Sequence, residues 1–210
     1  KQPATTHGPP QETINQLIQL YNQGQLGVVV EQAQALTVQY PEAFIIWNIL
    51  GAAAAQTGQI DQAINAFKRI IAIKPDHAEA NYNCSLCYNL KGELRKGLEL
   101  AEWRMKKVEP LARLPCTDFI WDGHTCLSGK SFFIYEEQGL GDIIQFCRYL
   151  PLLEQKGAKV IFKVRKELNA LLRTLRSNVV MNTTDPHETQ IDFEAPLMSL
   201  PHLFKTQLDT

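Results

Sequence analysis

Three glycines, Gly24, Gly58 and Gly92, stand one period of 34 residues apart, and Pro41 and Pro75 keep the same interval, with Pro110 one residue late. A fixed period of that length constrains the fold more than any other feature of the chain. Each unit is too small to bury its apolar side alone and must stack on its neighbours. Apolar residues between the glycines recur at helical spacing, so each period reads as two helices with a glycine ending the first. The spacing predicts helices near 11 to 23, 26 to 39, 43 to 57, 60 to 73, 77 to 91 and 94 to 108.

The middle unit, from Pro41 to Pro75, carries Trp47, Leu50, Gly51, Ala63, Phe67 and Pro75 where two packed helices alternate bulky and small residues. In these residues the chain resembles the tetratricopeptide repeat. The first unit has Val29 and Ala33 instead of an Ala and Phe pair; the third has Tyr88, Gly97 and Ala101. Both are recognised mainly by period. The resemblance implies a protein or peptide partner, held in a groove lined by the first helix of each hairpin. In register, that surface carries Ile14, Ile18, Tyr21, Asn48, Ala52, Gln56, Tyr82, Leu86 and Asn89. Tyr21, Asn48, Gln56, Tyr82 and Asn89 are the candidate groove contacts. The surface is largely neutral and lacks the Lys or Arg that clamping a C-terminal carboxylate requires; Ile14, Ile18 and Leu86 equally suit packing against neighbouring helices.

Charge excludes some partners. Lys plus Arg number 21 against 22 for Asp plus Glu. The halves divide ten against ten up to Glu109 and eleven against twelve beyond it. Neither half has the concentrated positive surface that nucleic acid or an anionic membrane demands. No apolar run approaches the roughly 18 residues of a membrane span. Five cysteines, Cys84, Cys87, Cys116, Cys126 and Cys147, are scattered through helical and connecting sequence, as expected of free thiols in a reducing, cytoplasmic setting. Cys84 and Cys87 form C-x-x-C without a second ligand pair at zinc spacing, so no metal site is expected, and no cofactor.

Residues 1–10 read as a disordered tail, 11–109 as the repeats and 110–130 as a connector broken by prolines and glycines. From 131 to 210 the period changes. Strands are expected at 132–135, 159–164, 179–181 and 191–193, with helices at 140–156 and 166–176 and a short one at 199–204. Strands alternating with helices imply a parallel sheet. The turn after the first strand holds Gly139 and Gly141, whose freedom at positive φ would bring backbone close to a ligand at a helix start. It is not the dinucleotide fingerprint, because Ile144 stands where a third glycine belongs.

Glu137 to Asp142, Ile144 to Phe146, Arg148 to Leu153 and Gly157, Ala158 and Val160 resemble the start of a glycosyltransferase-like domain found after tetratricopeptide repeats in bacterial proteins. Trp121 to Gly123, Asp192, Phe193, Pro196, Leu197 and Ser199 to Pro201 fit the same pattern. The family is similar to heptosyltransferases, enzymes of two Rossmann-like domains that act without a metal. The resemblance implies an α plus α/β chain, three helical hairpins followed by a partial Rossmann-like domain. It implies Asp142 as catalytic general base, with Gln138, Gly139, Gly141, Gln145 and Glu194 contacting substrate, a sugar acceptor or nucleotide sugar. Glu194 stands where relatives carry His. A helix cap is the plainer role for Asp142. Ending at Thr210, the chain alone is expected to act by interaction; continued beyond, it would be part of an active enzyme.

Overall fold

The computed structural model describes residues 8–107, 120–137, 139–175, 179–182 and 190–209. Residues 1–7 of the expected tail and all of 108–119, Cys116 included, lie outside them, as does Gln138. The chain divides into two compact units, Lys1–Glu109 and Pro110–Thr210.

The first unit is a run of helical hairpins: α1 (Gln11–Asn22) with α2 (Leu26–Gln39), α3 (Phe44–Gln56) with α4 (Ile60–Ile73), and α5 (Ala78–Leu90) with α6 (Leu94–Ala101). Gly24, Gly58 and Gly92 sit at φ 75°, 78° and 81°, the left-handed region that penalises any side chain. Each lets the next residue's N–H reach back five positions, Gln25 to Leu20, Gln59 to Ala54 and Glu93 to Tyr88, at 2.8 to 3.0 Å. Those bonds satisfy carbonyls the helix end would otherwise leave open. Leu17, Val29, Ile46, Leu50, Phe67, Ile70 and Cys84 are among the residues of a continuous core.

The sixth helix is shorter than expected. It stops at Ala101, and a separate turn, α7, spans Arg104–Lys107. The cause is local: the buried Arg104 guanidinium donates to the Ala101 carbonyl at 3.1 Å, and Met105 N–H bonds to Glu102 instead, at 3.2 Å. The α-helical bond from Met105 to Ala101 is replaced by tighter i to i+3 bonds.

Among the described residues, the second unit holds four parallel strands, β1 (Ser131–Tyr135), β2 (Lys159–Lys163), β3 (Val180–Asn182) and β4 (Phe193–Pro196), in the order β3-β2-β1-β4. The helices α8 (Leu140–Phe146), α9 (Leu150–Gln155), α10 (Lys166–Leu172) and α11 (Leu200–Leu203) lie between or after them. Phe132, Ile134, Val160, Phe162 and Ala195 form one core cluster with Ile143, Leu150, Leu153, Leu168 and Leu172. Alternate residues Phe133, Ile161 and Ile191 form a smaller one.

Three expectations change here. The helix expected over 140–156 is interrupted by a 3-10 turn at Cys147–Tyr149, because Pro151 has no N–H for the Cys147 carbonyl and the Leu150 N–H takes it instead. The helix expected to 176 ends at Leu172. The last strand starts at Phe193, later than expected; the preceding Asp192 is fixed by its N–H to Ser131 O (3.0 Å) and by its carboxylate, which accepts from Ser131 N–H at 2.8 Å. Residues 120–130 form no helix or strand, and within them Trp121 is buried, edge-on to Phe132, with its N–H bonded to Glu194 O and its indole N–H to Thr125 O.

Candidate functional site

Two regions carry the candidate residues, one in each unit. In the helical unit, α1 packs beside α3 and α3 beside α5, so the first helices of the three hairpins share a face. Ile18, Ala52 and Leu86 occupy one helical position at successive periods. Ile18 is 40% and Leu86 45% exposed, and Leu90, one turn further along α5, is 73% exposed. Ile14 is partly buried against the core. Of the alternatives open from sequence, packing therefore accounts for Ile14 and only in part for Ile18 and Leu86.

The structure brings Tyr21 and Gln56 together, the Gln56 amide donating to the Tyr21 hydroxyl across the α1 to α3 step. Asn48 and Tyr82 are half-buried on α3 and α5. Asn89 behaves differently. Its carboxamide lies against Gly97 of α6, in the space a side chain at 97 would fill, so it belongs to the packing of the third hairpin. The period places Asn89 on the inner helix but does not show that Gly97 opens a hole behind it.

Charge sharpens the picture. The first helices contain no Lys or Arg, and their acidic residues, Glu12 and Glu79, both fall in first turns. Lys91, which caps the end of α5, is ion-paired with Asp61 at 2.7 Å and Glu93 at 3.3 Å. The hydrogen bonds from Lys91 to Asp61 and Glu93 push its pKa up and hold it charged.

In the second unit the expected ligand turn follows β1. Gly139 is the N-cap of α8 at φ −68° and ψ 166°, and Gly141 lies inside α8; neither takes positive φ. The expectation of left-handed glycines at this turn is thus corrected, because α8 begins directly at Leu140. A side chain at Gly141 would meet nothing within 4 Å. Asp142 is half-buried in the first turn, its Oδ2 3.6 Å from where a Cβ on Gly139 would stand, and Gln145 is exposed one turn later. Gln138 lies outside the described residues.

Glu194 is 0% exposed, paired in register with Phe133 in the middle of β1. That burial corrects the expectation of an acceptor contact there: a strand residue in that register points into the unit. Sequence reasoning also missed Arg165 at the start of α10, which donates to the Glu136 carboxylate at 2.9 Å and ties the ends of β1 and β2 beside the glycine turn. The signal was available, since the two residues stand one and two positions after the ends of neighbouring parallel strands. Among the described residues, no group of His, Cys, Asp and Glu could hold a metal ion. None of their helices is long and apolar enough to cross a membrane.

Comparison with known proteins agrees with the helical half. Residues 18–78 and 53–102 match the tetratricopeptide repeat family model, so the chain carries these repeats. Over 83 residues it is 35% identical to the peroxisomal targeting signal receptor of Eremothecium gossypii, which covers 39% of this chain and 14% of the receptor. The chain thus spans about a seventh of that relative's length. Similar solved structures include MamA, 24% identical over 45% of this chain and 55% of MamA with a TM-score of 0.43. The type III secretion chaperone SycD of Yersinia enterocolitica, in complex with a peptide of the translocator YopD, is 19% identical over 49% of this chain and 78% of SycD, with a TM-score of 0.45.

Proposed function

We propose that the helical unit is a protein-interaction module that takes a partner segment on the face shared by α1, α3 and α5. The observation that carries this reading is the repeated position Ile18, Ala52 and Leu86, whose aliphatic members stay exposed at a fixed pitch. Aliphatic side chains left in water at a repeated position along one face are costly unless something covers them. Around them stand hydroxyl and amide groups, Tyr21, Gln56, Asn48 and Tyr82, suited to a peptide main chain. The similar receptor is named for a targeting signal, which agrees with a peptide as ligand class. The test compares Ile18→Glu and Leu86→Glu with Val38→Glu, which changes an exposed residue of α2. The first two variants lose co-purifying partners while keeping the helical circular dichroism of the parent; Val38→Glu keeps both. Equal retention by all three overturns the reading.

A second reading concerns the other unit. We infer that residues 131–210 belong to a Rossmann-like, glycosyltransferase-like domain, with Asp142 as general base toward an acceptor hydroxyl and Gln138 and Gln145 toward sugar hydroxyls. Support comes from the parallel order β3-β2-β1-β4, which reverses direction between β1 and β4, the kind of point beside which ligands bind in doubly wound sheets. Glu194 is left out of this reading because it is buried. A chain extended past Thr210 is expected to hydrolyse a nucleotide sugar, and Asp142→Asn to slow that about 10²- to 10⁴-fold. An unchanged rate removes Asp142 from the role.

A further inference from the structure

Resting on the interaction reading above, we propose that the segment seated on the α1, α3 and α5 face is an uncharged, aliphatic stretch from the interior of a partner chain, and not a chain end read through its α-carboxylate. A buried carboxylate needs a cation or several converging donors. The first helices supply no Lys or Arg along their whole length, whereas α4 and α6, their partners in the second and third hairpins, carry Lys68, Arg69, Arg95 and Lys96. The nearby Lys91 is already held between Asp61 and Glu93. Glu79, in the first turn of α5 and on the same helical side as Tyr82 and Leu86, repels an acidic segment further.

What the face does offer is complementary to an uncharged chain. Ile18, Leu86 and Leu90 present aliphatic surface, and the equivalent position between Ile18 and Leu86 is the small, half-buried Ala52. The flanking groups are neutral donors and acceptors, matched to peptide N–H and C=O groups. Such a ligand is selected by shape and by exclusion of charge, since an unpaired carboxylate on this surface loses water without gaining a partner.

The experiment is a selection on the full chain with two phage libraries of random peptides of about twelve residues, one held inside a coat-protein loop and one ending in a free carboxylate. The internal library is expected to enrich aliphatic sequences free of Asp and Glu. A synthetic winner, blocked at both ends, is expected to bind at least about tenfold more tightly than the same peptide carrying two Glu residues. Leu86→Glu abolishes that binding. Enrichment of acidic sequences, or enrichment only from the free-carboxylate library, overturns the proposal while leaving the interaction face standing, provided Leu86→Glu still abolishes it. Binding unaffected by Leu86→Glu and Ile18→Glu overturns the interaction reading itself. No enrichment from either library overturns the peptide occupant. A dimer in sedimentation that Leu86→Glu dissociates identifies a second copy of the chain as the occupant, and likewise overturns it.

Discussion

Gly51 of α3 lies under the ring of Phe67 in α4, so close that a Cβ on the glycine would stand 2.7 Å from a ring carbon. The two helices of the middle hairpin meet at this contact, and Phe67 is buried on the other side by the core. Gly51→Ala is therefore expected to destabilise the unit by about 1–3 kcal/mol through overpacking, although alanine is the better helix former. Gly27→Ala, in the first turn of α2, is the control: nothing stands within 4 Å of its Cβ, and it should be slightly stabilising, by less than the roughly 0.5–1 kcal/mol of a mid-helix site. Urea titration of both variants by circular dichroism checks the opposite signs.

The start of α5 depends on an unusual cap. His77 accepts the Ala80 N–H on Nδ1 at 3.2 Å and packs against the Phe44 ring at 6.0 Å. His77→Ala removes the acceptor and is expected to cost about 1 kcal/mol, while His77→Asn, a good capping residue, recovers most of it. Thermal unfolding of the three proteins separates the cap from the ring contact, because only the cap is restored by Asn.

In the turn after Trp121, the Asp122 carboxylate accepts from the Thr125 and His124 backbone N–H groups at 2.8 Å, and these bonds hold its pKa at about 2. The folded value lies below the ordinary carboxylate value, so the turn's contribution is complete above pH of about 4 and is lost as pH falls toward 2. Asp122→Ala should lower the unfolding midpoint of the second unit at pH 7, and the gap from the parent should close in acid. A gap independent of pH would show that the turn acts only by shape.

Thiol labelling tests the burial of the cysteines. Burial pushes the Cys84 thiol up to about 11, with the neighbouring Cys87 thiolate adding to it, and also raises Cys87 and Cys147. Cys126 is exposed. Mass spectrometry after brief iodoacetamide treatment at pH 8 should find Cys126 modified and Cys84 and Cys87 intact until urea unfolds the hairpins. Early modification of Cys84 would mean that the third hairpin opens readily.

What was legible in the sequence followed from local rules. The 34-residue glycine period placed the hairpin turns because left-handed backbone is a demand that few residues other than glycine meet, and the six helices start within one residue of their expected positions. Parallel strands could be read from short apolar runs such as Phe132 to Ile134. What escaped depended on partners distant in the chain or on competition for a carbonyl. β4 contains a charge, Glu194, and ends in Pro196, and it becomes a strand because β1 offers it a ladder along one edge. The early end of α6 turns on where one arginine side chain folds back, and the burial of Asn89 on the absence of a side chain at Gly97.

The pairing of β1 with β4 joins segments 61 residues apart, Ser131 with Asp192 at its mouth, whereas each helical hairpin closes across a turn of a few residues. During synthesis the helical array therefore has all its contacts available long before the sheet can be finished. β1 emerges with one edge bare until Phe193 leaves the ribosome, which makes that interval the period when the nascent chain is most vulnerable to aggregation.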